Sequence, residues 1–149
     1  MGDRCARLRT RFASLCCTQV VDGKGPGVKA TASATLYALD PDGREPLGLH
    51  SSEPICDGAA VDDQRSTICF FELKSGHEHR AEKQLASTVQ AWKHRQCPNP
   101  RVSAALLMSG SAPRNEAQRV ARFRKANKVR LRILHGLRGK RRWVEADLL

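Results

Sequence analysis

Aromatic residues are scarce: Phe, Trp and Tyr together make up 5% of the 149-residue chain. Extensive stacking of bases on aromatic platforms is therefore not expected of it. Long apolar runs are missing too, since no stretch approaches the roughly 18–20 residues that cross a bilayer. The start, Met1-Gly-Asp-Arg-Cys5, lacks the apolar core of a signal peptide, and Ala6 stands where a myristoylation signal wants Ser or Thr. Six cysteines, at positions 5, 16, 17, 56, 69 and 97, include no C-x-x-C pair and no nearby His cluster. Zinc-site spacing is thus absent, and the cysteines read as small buried apolar residues in a reducing compartment. Gly23-Lys24-Gly25-Pro26-Gly27 lacks the Gly-Lys-Ser/Thr ending of a phosphate-cradling loop and reads as a flexible connector. There is no internal repeat and no low-complexity segment. What these absences leave is a soluble cytoplasmic protein with no membrane association, folded as one domain over residues 1–149. A domain of that size buries roughly two-thirds of the surface its unfolded chain exposes, so no covalent staple is needed.

What is present is positive charge, and it is unevenly spread. Residues 1–92 carry 11 Lys/Arg against 12 Asp/Glu, whereas residues 93–149 carry 15 against 3. A basic half on a small domain is the electrostatic footprint of a polyphosphate partner, because each neutralised phosphate releases condensed counterions. A solubilising charged surface is the alternative. With so few aromatics, contact with a phosphate backbone fits better than base readout.

Periodicity predicts an α+β chain. Cys5, Leu8, Phe12, Leu15 and Cys16 share helical spacing, so residues 1–18 read as an amphipathic first helix. Residues 30–39, 55–61 and 67–74 read as strands, the first closed by the turn residues Asp40-Pro-Asp-Gly43. Thr67-Ile-Cys-Phe-Phe-Glu-Leu-Lys74 is apolar on both faces, which places it in the middle of a sheet. A helix follows over 78–94, with Ala81, Leu85, Thr88, Val89 and Trp92 as its stripe. A strand over 102–109 comes next, then a basic helix over 114–126 packing on Ala117, Val120, Ala121 and Phe123. Residues 129–134 read as an edge strand, and 136–149 as a basic tail. The order is αβββαβαβ around a central mixed sheet of four to five strands.

Acids rarely sit inside apolar strands, because burying an unpaired charge is costly. This chain places two there, Asp57 and Glu72. Alternation puts Glu72 and Lys74 on one face, about 6–7 Å apart. A turn centred between Gln64 and Arg65 sets Asp57 opposite Glu72, with Cβ atoms roughly 4.5–5.5 Å apart. Two like charges that close need a shared proton or a divalent cation. A hard cation such as Mg²⁺ is held by one or two carboxylates plus water and phosphate oxygens. Lys74 could then orient or activate a water and steady developing phosphorane charge. The alternative is a surface ion pair between Glu72 and Lys74 at a fraying strand end, with Asp57 a turn residue.

Ile55-Cys-Asp57, fifteen residues before Phe71-Glu-Leu-Lys-Ser-Gly76, resembles the PD-(D/E)xK nuclease superfamily, whose helix–strand–strand–strand–helix–strand core matches the element order above. Ala81-Glu-Lys-Gln84-Leu85 is similar to the helix that places a Gln near the active site in many members. The resemblance covers residues 50–110 well and the remainder in element order alone. It implies a restriction-endonuclease-like fold and a metal-dependent nuclease acting on nucleic acid, with DNA the expected substrate. Asp57 and Glu72 would ligate Mg²⁺ or Mn²⁺, the Leu73 carbonyl would be a further ligand, and Lys74 would serve the attacking water. Gln84 would assist by hydrogen bonding, unless it is an ordinary helix glutamine. Cys56 replaces the usual Pro, and residues 4–18 contain no acid for a second metal. A catalytically inactive module that keeps the fold and binds nucleic acid, or assembles with a partner, is the competing expectation. The resemblance also implies a homodimer. Arg114, Arg119, Arg122, Arg124 and Lys125, joined by Arg138, Lys140, Arg141 and Arg142 in the tail, form the expected phosphate track. His77 and His79 are candidates for phosphate contact at the mouth of the site.

Overall fold

Strand 67–74 is the reference point for the rest of the molecule. In the computed structural model, which describes residues 10–75, 80–95 and 100–149, Thr67–Lys74 (β6) is an interior strand, paired along its length with one neighbour and as far as Phe71 with the other. It has six consecutive buried residues between half-buried ends. Antiparallel to it runs β5 (Gly58–Asp62), and beyond that β4 (Thr35–Ala38) and the short β1 (Cys16–Cys17). On its other side lie β7 (Arg101–Met108) and β8 (Arg130–Leu134), both parallel. The sheet is therefore mixed, ordered β1-β4-β5-β6-β7-β8, with β8 at the predicted edge. It has six strands where the sequence predicts four to five.

Alternation along β6 sorts its side chains onto two covered faces. Ile68 and Phe70 point to one core with Ala59, Ala104, Leu106 and Leu131. That core is roofed by α2 (Ala81–His94) and α3 (Glu116–Asn127). Cys69, Phe71 and Leu73 point to a second core with Leu36, Ala105 and Leu107. This second face is covered by a three-stranded sheet of β2 (Gln19–Val21), β3 (Gly27–Lys29) and β9 (Trp143–Glu145). Gly27 carries no side chain because the Trp143 ring occupies that space.

Several predicted elements move. Cys16 and Cys17 leave the first helix: residues 10–12 are helical, Ala13–Leu15 form a 3-10 turn, and pairing with Tyr37 and Leu36 then draws the cysteines into the sheet. Of the predicted strand 30–39 only Thr35–Ala38 (β4) is extended; residues 30–34 turn between β3 and β4, where Thr31 Oγ1 accepts the Ala34 N–H at 3.2 Å. Of the connector at 23–27, residues 23–26 lie in the loop of the β2–β3 hairpin and Gly27 opens β3. The basic tail contains β9, parallel to β3, and so is part of the second core. A short α1 (Arg44–Leu47) follows the predicted turn at 40–43.

The stripe of α2 is buried as its spacing predicts. That of α3 holds in part: Phe123 is buried and Val120 packs against the core, whereas Ala117 and Ala121 are exposed and Asn127 is buried instead. Asn127 turns this helix onto α2, accepting from Gln90 Nε2 at 3.1 Å through its side chain and from Lys93 Nζ at 2.6 Å through its carbonyl. Cys56 and Cys69 are buried as expected, but Cys16 is exposed and Cys17 half-buried, and all four are free thiols. Cys5 and Cys97 lie outside the described residues. No described helix is long and apolar enough to cross a membrane.

Candidate functional site

The β5–β6 register pairs Gly58 with Phe71 and Asp62 with Thr67. One further step puts Asp57 opposite Glu72, as the turn position predicts. Gly58 is required there, since a Cβ would enter the Phe71 ring. Strand β5 nevertheless starts only at Gly58, because the next rung is broken.

In an antiparallel ladder, hydrogen-bonded pairs alternate with non-bonded ones. Ser109 N–H donates to the Lys74 carbonyl at 3.0 Å, so Lys74 turns its backbone groups toward β7 and Leu73 turns its own toward β5. The rung beyond Gly58–Phe71 would thus join Cys56 and Leu73 by two hydrogen bonds. Both are replaced by side chains. The Leu73 N–H donates to Asp57 Oδ2 at 2.8 Å, and the Cys56 N–H donates to Thr88 Oγ1 of α2 at 2.9 Å. The Leu73 carbonyl consequently lacks the Cys56 amide that the register would have given it. Asp57 is fixed with one oxygen against the backbone.

Glu72 faces α2 from this end of β6 and is 1% exposed. Burial, first of all, and then a hydrogen bond to Asp57 and its negative charge push the Glu72 carboxyl from 4.5 up to about 10, with Lys74 pulling the other way. At neutral pH the raised value leaves the proton on Glu72, whose carboxyl is hydrogen-bonded to Asp57. Glu72 Oε2 is buried without a hydrogen-bond partner, as is Gln84 Oε1. Gln84 sits in the first turns of α2, its Nε2 reaching the Ile55 carbonyl at 3.5 Å. Asp57, Glu72, Lys74 and Gln84 are thus gathered, with the Leu73 carbonyl, where α2 crosses the open end of the hairpin.

All the donors there are oxygens: two carboxylates, a side-chain amide and a backbone carbonyl. This set matches a hard cation such as Mg²⁺ or Mn²⁺ and not zinc. The two orphaned oxygens are what such an ion would satisfy, so the residues present fit it. Among the described residues no group of three or more His, Cys, Asp and Glu side chains is placed to hold a metal, so an ion here would rely on the Leu73 carbonyl and on water beside the two carboxylates. The Cys56 thiol donates to the Gly58 carbonyl at 3.4 Å, and burial above all raises its pKa, so it packs and does not ligate.

The basic residues divide where the sequence predicts one track. Arg114, Arg119 and Arg122 line a groove of about 830 Å³ between α2, α3 and the loop after β7, together with Lys83 and Asn115. Arg119 is ion-paired with Glu82 across that groove. Arg124 and Lys125 lie on another face of α3, in a shallow basin with Ala117, Val120, Ala121 and Lys128. Arg142 is committed elsewhere. Its guanidinium donates to the Gly25 carbonyl at 2.8 Å and to that of Gly23, and it lies 5.2 Å from the Trp143 ring centroid. Arg138, Lys140 and Arg141 beside it are exposed. The loop that Arg142 holds reaches Ser75, at the candidate end of β6. His77 and His79 lie outside the described residues. Sequence reasoning missed Thr88, which reads as one more member of an apolar stripe; the signal was a hydroxyl in that stripe, four residues after Gln84. Comparison of the chain with models of known protein families, with curated proteins and with solved structures returns no match.

Proposed function

We propose that this protein is a metal-dependent nuclease of the PD-(D/E)xK type that hydrolyses phosphodiester bonds of nucleic acid, DNA before RNA. The observation that carries the reading is the paired acids Asp57 and Glu72 at the open hairpin end, with a buried Glu72 oxygen left unsatisfied. An acid pair so placed costs stability unless something positive or a proton joins it. Bound Mg²⁺ or Mn²⁺ would supply Lewis acidity and a more acidic water. Asp57, Glu72 and the Leu73 carbonyl would hold it, and Gln84 Oε1 would accept a hydrogen bond from its water shell. Lys74, on the same face as Glu72, would orient the attacking water and steady charge on the phosphate during in-line attack. Arg114 and Arg122 would track the phosphate backbone along the groove, so binding should fall steeply with salt. The run β4, β5, β6, α2, β7, α3 and β8 and the mixed sheet it builds support a restriction-endonuclease-like core. A cytoplasmic location and a homodimer belong to the same proposal.

The test is incubation of plasmid, linear and branched DNA with Mg²⁺ or Mn²⁺, beside Asp57→Ala, Glu72→Ala and Lys74→Ala. Cleavage is expected for the parent protein and lost in each variant while circular dichroism stays unchanged. Retained cleavage in Glu72→Ala rejects the assignment. DNA binding without any cleavage, indifferent to Asp57 and Glu72, selects the inactive module.

A further inference from the structure

Thr88 is wholly buried on α2, and its hydroxyl does two things at once. It donates to the Gln84 carbonyl at 2.8 Å, one turn earlier, and accepts the Cys56 N–H at 2.9 Å. The first bond is ordinary in a helix and needs no explanation. The second crosses from helix to sheet and takes up the one backbone amide that the β5–β6 register aims at the Leu73 carbonyl. Asp57 Oδ2 meanwhile serves the Leu73 N–H that the Cys56 carbonyl would have served. A complete rung of the ladder has been exchanged for two side-chain bonds. Had the rung formed, the Leu73 carbonyl would be consumed, and the backbone before Asp57 would lie flat in the sheet instead of being drawn toward α2.

We propose that Thr88 is a positioning residue for the metal centre: by capturing the Cys56 amide it keeps the Leu73 carbonyl free to face a divalent cation. It also ties the segment carrying Asp57 to the helix turn carrying Gln84, so the two elements that frame the site are fixed by one hydroxyl. The proposal rests on the metal-site reading above. Its chemistry is that of an outer residue which orients ligands, whose loss typically weakens metal affinity by about 10–100-fold.

The Leu73 carbonyl can be observed alone, because Leu-Lys occurs once in the chain, at 73–74. Intact protein labelled with [1-¹³C]Leu and [¹⁵N]Lys gives a single doubly labelled peptide bond. In the parent protein Mg²⁺ titration is expected to shift that carbonyl signal, with Mn²⁺ affinity measured in parallel by electron paramagnetic resonance. Thr88→Val keeps the shape and removes both bonds. It is expected to weaken Mn²⁺ about tenfold or more and to abolish the carbonyl shift. Thr88→Ser keeps the hydroxyl and is expected to restore both readouts, which a merely structural loss would not allow. A folded Thr88→Val protein that binds Mn²⁺ as tightly as the parent overturns the role of Thr88. So does a parent protein whose Mn²⁺ affinity depends on Asp57 and Glu72 but whose Leu73 carbonyl stays silent, a result needing no variant at position 88. In both cases the metal site itself stands. A parent protein that binds no Mn²⁺ removes the site and this role together.

Discussion

The β5–β6 hairpin buries an acid at each end, and the two ends treat their acids differently. At the turn, Asp62 finds everything it needs within three residues: its Oδ1 accepts the Arg65 N–H at 3.0 Å, and the Arg65 guanidinium lies 3.7 Å from Oδ2. At the open end, Glu72 meets a second acid and leaves one oxygen unserved. Both belong to one ladder in one register. A carboxylate with local donors closes a turn; a carboxylate held against another carboxylate weakens the fold. That difference, and not burial as such, makes the open end the candidate site.

The contrast is sharpest in catalysis. Glu72→Gln should lower Mg²⁺-dependent cleavage by about 10²-fold or more, the several kcal/mol of charge stabilisation that a correctly held ion supplies. Asp62→Asn should leave the rate unchanged, and steady-state cleavage of one DNA substrate compares them; equal losses break the comparison. Stability should move in opposite directions. The raised pKa means that folded Glu72 keeps a proton which the unfolded chain gives up above about 4.5, so stability contributed at this site falls as pH climbs from there toward about 10. Glu72→Gln escapes this penalty. With EDTA present its Tm should exceed the parent's by more at pH 8 than at pH 4, rising about 2–4 °C for each kcal/mol recovered. The smallest effect belongs to the turn: Asp62→Ala forfeits a side-chain-to-backbone bond worth about 1 kcal/mol, lowering Tm by about 2–4 °C in thermal melts at neutral pH.

How far the sequence could be read follows from the length of each periodic segment. The register of Asp57 against Glu72 was legible because β6 is eight residues long and its polar turn is short. The central position of β6 followed from apolar residues on both its faces. The small sheet was not legible, since strands of three residues such as Gln19–Val21 and Gly27–Lys29 show no alternation to detect. Ala117 and Ala121 misled because alanine suits an exposed helix as well as a packed one. At the site, residue types announced Asp57, Glu72 and Lys74. Thr88 acts through a bond to a residue 32 positions away, which no local spacing encodes. Arg142 looked like its basic neighbours, yet it spends its guanidinium on two loop carbonyls.

The β3–β9 pairing joins Gly27–Lys29 to Trp143–Glu145, and Trp143 fills the space above Gly27. During translation the apolar side of β6 that bears Phe71 and Leu73 must therefore wait for residues made more than a hundred positions after Val28 before its cover is complete. Until then the nascent chain presents a sticky sheet surface to its surroundings, a stage at which ribosome-associated chaperones would have something to hold.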